Sequence, residues 1–162
     1  MPTVAPDVVL HPLSGKDRTL GEQVAFFHLV AVVLDPFTYE SSWLLDTAGR
    51  ILTNFSGADA RTALILTSDV DGAREFVGPW AESLMIFADP DRSLVKALDL
   101  AELPAFVHIA HDVSIAARAE GWDPETWRPI AEELADTLSW SRPVIPAPGD
   151  PVPFVGTKAV PA

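Results

Sequence analysis

The chain contains no cysteine. Disulfides, thiolate nucleophiles and cysteine-ligated metal sites are therefore excluded. Positive charge is scarce: 11 Lys and Arg stand against 23 Asp and Glu, for a formal net charge of −12. That balance disfavours nucleic-acid binding, which needs Lys and Arg to neutralise phosphates. It equally disfavours adsorption to anionic lipid, and it reads as a solvated acidic surface. No hydrophobic run has membrane-spanning length. The longest, Val24 to Leu34, is interrupted by His28 and falls well short of the ~20 residues a spanning helix needs. The first residues, Met1-Pro2-Thr3-Val4-Ala5-Pro6-Asp7, show neither a basic n-region nor an apolar h-region, so the expected location is cytoplasmic. Helical metal-ligand spacing of the His-x-x-x-His kind is also missing, and no metal or cofactor is expected.

What is present describes an ordinary globular chain. The 162 residues are 48% hydrophobic and 21% charged, enough for one domain with a full core. Val24 to Leu34 reads as a strand covered on both faces, placed in the centre of a sheet. Thr38 to Phe55 predicts a helix, with Leu44, Ala48, Ile51, Leu52 and Phe55 at helical spacing. Thr38 is its expected N-cap and Glu40 favours its dipole. Gly49 costs ~1 kcal/mol inside a helix, and Asp46-Thr47-Ala48-Gly49 could alternatively turn a hairpin. Further on come a strand over Thr62–Thr67, a helix over Asp69–Trp80 and a strand at Leu84–Phe87. A helix capped by Asp89-Pro90-Asp91 carries Leu94, Val95 and Leu98. A hairpin then joins Ala105–Ala110 to Val113–Ala119, and a last helix opens on Asp123-Pro124-Glu125. Its apolar positions are Trp127, Ile130, Leu134 and Leu138.

The order strand, helix, strand, helix, strand, helix, hairpin, helix implies parallel strands with right-handed crossovers, plus an antiparallel edge. Asp7 to Leu20 is an N-terminal extension, with a short strand at Val8-Val9-Leu10. Residues 141–162 hold six prolines, Pro143, Pro146, Pro148, Pro151, Pro153 and Pro161, which forbid a regular helix or a central strand. Val144, Ile145, Val152, Phe154 and Val155 make this segment an apolar arm laid on its own surface or a partner's. The expected division is a domain over 1–140 and an extended Pro-rich tail over 141–162.

Three local patterns then carry a resemblance. Phe37-Thr38-Tyr39-Glu40-Ser41 resembles the Phe-Thr-x-x-Cys pattern of peroxiredoxins. Leu103-Pro104-Ala105-Phe106-Val107 resembles the cis-proline loop and following strand of the thioredoxin superfamily. Ala110 to Gly121, continuing as Glu120-Gly121-Trp122, resembles the closing hairpin of redoxins. The resemblance spans Asp7 to Trp140. It implies a three-layer α/β fold of thioredoxin type, with a central mixed sheet flanked by helices. It places Ser41 where a peroxidatic cysteine would be, with Thr38 retained, no arginine near Leu103 and no Cys-x-x-Cys.

A serine hydroxyl is a weak nucleophile without an adjacent base and cannot pass through a sulfenic acid or disulfide. Thiol-dependent oxidoreductase or peroxidase chemistry is thus excluded, and no catalytic residue is assigned. The reading is a non-redox binding or assembly module. Its candidate corner is Thr38, Tyr39, Glu40, Ser41, Ser42, Trp43, Leu103 and Pro104, where the resemblance sets a helix start against a cis-proline. The expected partner is a protein or peptide, with self-association through the tail as a second possibility. The alternatives are a hydrolase using Ser41 or Glu40, and a redoxin relic with a structural role only. His28 and His108 should meet on antiparallel neighbouring strands at the far end of the sheet.

Overall fold

A computed structural model describes residues 2–161. Seven strands form one mixed sheet in the order β2-β1-β5-β4-β3-β7-β8. These are β1 (Val9–Pro12), β2 (Arg18–Thr19), β3 (His28–Leu34), β4 (Ala60–Leu66), β5 (Met85–Ala88), β7 (Ala105–Ile109) and β8 (Ile115–Glu120). β3, β4 and β5 run parallel. β7 is antiparallel to β3, and β8 to β7. The helices are α1 (Leu20–Gln23), α2 (Tyr39–Thr53), α3 (Val70–Val77), α4 (Ser93–Ala97) and α5 (Pro124–Leu138). A separate two-stranded ladder joins β6 (Glu102–Leu103) to β9 (Thr157–Lys158).

The unbroken apolar run of β3 follows from burial on both faces. Successive side chains point to opposite sides of a strand. Val30, Val32 and Leu34 accordingly enter the core under α2, α3 and α5. Leu29, Ala31 and Val33 enter a second core under α1, α4 and the N-terminal segment. The molecule is therefore a three-layer α/β sandwich. Trp122 and Trp127 fill the first core, and Trp127 stacks on Phe106 with ring centroids 4.9 Å apart.

Local signals explain most of the element ends. Asp69 caps α3 by accepting from the Gly72 N–H at 2.7 Å. Asp123 caps α5, with Pro124 in its first turn. The buried Asp89 carboxylate accepts from the Leu94 and Val95 N–H groups, both at 3.0 Å, and starts α4. Gly49 lies within α2 and is no turn. A Cβ there would stand 2.5 Å from the Trp80 ring, so the glycine lets an indole seat against the helix.

Three expectations need correction. β3 begins at His28, because Thr19 and Glu22 form a capping box that starts α1, and Val24 closes it. Phe26 is consequently exposed, while Arg61 lies 4.1 Å above the Phe27 ring. α3 stops at Val77, and a 3₁₀ turn over Gly78–Glu82 carries Trp80. β8 begins at Ile115, since Val113 adopts a positive φ of 62° in the preceding turn.

Residues beyond α5 run extended over the chain's own body. Arg50 bridges to Asp150 at 2.7 Å, and the same carboxylate accepts from the Thr47 hydroxyl and the Ala147 N–H. Trp122 and Phe154 exchange two backbone hydrogen bonds, each 3.0 Å long. Ile145 and Ala159 are buried.

Candidate functional site at the β3–α2 corner

The β3–β7 register pairs Val33 with Ala105, which sets Pro104 level with Leu34 at the end of β3. The Leu103–Pro104 peptide is cis. Asp35-Pro36-Phe37 then turns the chain into α2. One oxygen of the Asp35 carboxylate accepts from the Phe37 N–H at 3.0 Å. The other is 3.1 Å from Arg92 Nη2. Asp35 is buried, so its charge requires such a partner.

Thr38 occupies the N-cap position with extended backbone angles, but its side chain accepts from no backbone amide of the helix. Instead its hydroxyl donates to the Asp35 carbonyl at 2.9 Å and lies 2.9 Å from Ser41 Oγ. The turn's own carbonyl thus competes with the helix amides for this hydroxyl. Ser41 is buried with 1% of its surface exposed, and Thr38 is the hydrogen-bond partner described for its hydroxyl. Tyr39, Ser42 and Trp43 point outward, while Glu40 is half-buried. Phe37, Tyr39 and Trp43 are 79%, 84% and 59% exposed. Trp43 meets Phe154 edge-on, with centroids 6.3 Å apart. A shallow cavity of about 310 Å³ opens beside Phe37, lined also by Pro36, Ser68, Gly72, Glu75 and Phe76.

Of the eight candidate residues, Thr38 to Trp43 therefore share the start of α2. Leu103 and Pro104 lie on the neighbouring loop, both buried. Leu103 has its backbone paired to Thr157 in the β6–β9 ladder. Sequence reasoning missed Arg92. No residue near Leu103 carries a cation, yet a guanidinium arrives from the start of α4, where Arg92 takes a left-handed φ of 60°. Nothing in the sequence marks that conformation on an arginine. Gly156 and Ala159 were also missed, although a glycine in an extended segment can signal close backbone approach.

The histidines gather at the opposite end of β3. His28 Nδ1 lies 2.9 Å from His108 Nε2, and the rings of His28 and His111 stand 4.6 Å apart. Burial holds the His108 imidazole neutral and lowers its pKa to about 4, with neighbouring His28 adding to the effect. His28 is lowered in the same way, by burial and then by His111. Six residues of strand at ~3.3 Å each put this cluster roughly 20 Å from the corner, too far to serve Ser41 as a base. Among the described residues, no three His, Cys, Asp or Glu side chains are arranged to hold a metal ion.

No family model matches the chain, and no curated protein sequence does either. Solved structures do match. DsbF of Mycobacterium tuberculosis, seen in mixed oxidized and reduced forms, superposes with a TM-score of 0.64 at 16% identity, covering 85% of this chain and 98% of its own. The fold is thioredoxin-like. A Chlorobium tepidum protein assigned as a thiol:disulfide interchange protein DsbE gives a TM-score of 0.69 at 11% identity, over 84% of this chain and 96% of its own. A cysteine-to-serine variant of peroxiredoxin Q from Xanthomonas campestris gives 0.64 at 16% identity, over 83% and 91%. At such identities the likeness is one of fold alone. This thioredoxin-like chain has no cysteine, so the thiol chemistry of a redoxin has no reactive atom here. Among the described residues, no helix is long and apolar enough to cross a membrane.

Proposed function

We propose that the chain is a non-redox binding module that engages a protein or peptide at the start of α2. The observation that supports this reading is the inversion of the corner's polarity. The hydroxyls of Thr38 and the buried Ser41 bond to each other, while Phe37, Tyr39 and Trp43 present aromatic surface to solvent. A reaction centre needs the reverse, with its nucleophile accessible and beside a base. Exposed aromatic side chains at one place are what recognition surfaces use, because they bury much area at little entropic cost. The net charge of −12 favours a protein or peptide over nucleic acid or anionic membrane.

The hydrolase alternative is disfavoured by the same geometry. Ser41 Oγ bonds to Thr38, and the histidine cluster lies at the other end of the sheet. The test is capture by the immobilised chain against a variant carrying Tyr39→Ala and Glu40→Ala. Tyr39 is exposed and Glu40 only half-buried, and neither belongs to the buried core, so the variant should fold normally. The expected result is loss of the captured partner, and undiminished capture would overturn the reading.

A further inference from the structure

A cavity of about 660 Å³ opens at the end of β3 away from the corner. Phe26, Phe27, His28, Asp59 and His111 line it, together with residues 137–139 at the end of α5. Its volume lies within the range of about 300–1,000 Å³ that holds small molecules.

The wall of this cavity is rich in free acceptors, because its donors are spent elsewhere. His111 Nδ1 lies 3.0 Å from the Val24 carbonyl oxygen. A carbonyl only accepts, so Nδ1 carries the hydrogen, and in the neutral ring Nε2 keeps a lone pair. The Thr137 hydroxyl donates to the Glu133 carbonyl at 2.9 Å, which leaves its own lone pairs for other partners. His28 Nδ1 and His108 Nε2 share a hydrogen across 2.9 Å. Burial lowers the pKa of both imidazoles, so this pair brings no positive charge.

Negative charge and aromatic faces complete the wall. Asp59 is exposed and forms no ion pair among the described residues. α5 presents the negative end of a 15-residue helix whose last turn holds no basic residue. Phe26 is exposed. Arg61, which is not part of the lining, stands 4.1 Å above the Phe27 ring, so one ring of this wall already carries a guanidinium.

We propose that this cavity is a binding site for an organic cation, a guanidinium or ammonium group on a short apolar stem. Asp59, the free nitrogen of His111 and the end of α5 receive its several N–H donors, and the Phe26 ring packs on the stem. A neutral ligand of the same shape leaves the carboxylate and the helix end without a counter-charge. The site is separate from the start of α2 and does not rest on the binding-module reading. The cation is either a free amine or an Arg or Lys side chain of another chain, and the two share this chemistry.

The experiment titrates the full chain at pH 8 and low salt with three probes. These are N-butylguanidine, its uncharged isostere N-butylurea, and the peptide acetyl-Gly-Arg-Gly-amide. Butylguanidine should bind at least tenfold more tightly than butylurea and shift the ring resonances of His111 and Phe26. Asp59→Asn should weaken it at least fivefold, and Phe26→Ala should weaken it too. Both side chains are exposed, so both variants should keep the wild-type circular dichroism. Tighter binding of the peptide than of butylguanidine supports the site and assigns the cation to a partner's side chain. The reverse order supports it and assigns a free amine. Equal binding of butylurea and butylguanidine overturns the proposal, as does binding that both variants leave unchanged. Failure of both cationic probes to bind also overturns it. None of these outcomes involves Tyr39 or Glu40, so the corner reading stands or falls separately.

Discussion

Arg92 and Asp35 meet at 3.1 Å beneath the β3–α2 turn, both side chains largely enclosed. The carboxylate's second oxygen holds the Phe37 N–H, and the guanidinium's second nitrogen holds the Ala159 carbonyl. One ion pair thus ties the corner to the tail.

Breaking that pair from the cationic side should be the costlier change. Arg92→Met leaves a buried carboxylate without a counter-charge, which typically costs about 3–5 kcal/mol. Asp35→Asn keeps an acceptor for the Phe37 N–H and strands the more exposed partner, so it should cost roughly half as much. The double variant should cost less than the sum of the singles. Urea midpoints of the three proteins check this.

Stability should fall in mild acid through His108. Its imidazole has a folded pKa of about 4, against an ordinary value of 6.5, because burial disfavours the cation. Below pH 6.5 the unfolded chain takes up a proton that the folded chain refuses. The native state therefore loses ground from about pH 6.5 down to about pH 4, where the folded imidazole protonates too. The loss from this group is on the order of 3 kcal/mol. Denaturation at pH 7 and pH 4.5 should show it in wild type, and His108→Leu should show a smaller drop.

Gly49→Ala should destabilise, against the gain of about 1 kcal/mol that helix propensity alone assigns to alanine. The new Cβ meets the Trp80 ring at 2.5 Å, and displacing the indole breaks its hydrogen bond to Asp46 at 2.9 Å. Overpacking of this kind costs roughly 1–3 kcal/mol. In a Trp80→Ala background the same substitution should become neutral or stabilising, and thermal melts of the four proteins read the coupling.

Asp150→Ala should loosen the tail over α2. The buried carboxylate satisfies Arg50, Thr47 and the Ala147 amide, and charged hydrogen bonds contribute about 1.5–3 kcal/mol each. The expected result is limited proteolysis confined to residues between α5 and β9, with cleavage at least several-fold faster than in wild type.

Much of this architecture is legible from short-range patterns. β3 announces itself because both its faces are buried, and Asp69, Asp89 and Asp123 mark helix starts because a carboxylate satisfies free amides locally. The capping box of Thr19 and Glu22 was equally local and marks why the apolar run from Val24 is not all strand. What could not be read depends on distance. Arg92, the residue that precedes α4, reaches Asp35 only once β5 lies in the sheet, and its left-handed backbone has no sequence signature. Thr38 shows the limit at the corner itself. It stands in the expected N-cap place, yet the Asp35 carbonyl outcompetes the helix amides for its hydroxyl. The tail was readable as an extended arm, but its seat is defined by the absence of a Cβ at Gly156 against a carbonyl more than fifty positions earlier.

That separation along the chain has a consequence for synthesis. β6 leaves the ribosome well before β9, and at about 5–20 residues per second the interval lasts several seconds. During it, β3 to β8 and α5 can all assemble while the Glu102–Leu103 edge still offers open backbone groups to any strand nearby. Newly made chains are therefore open to mispairing at this edge until β9 emerges, and crowding on a polysome would favour exchange of tails between neighbours.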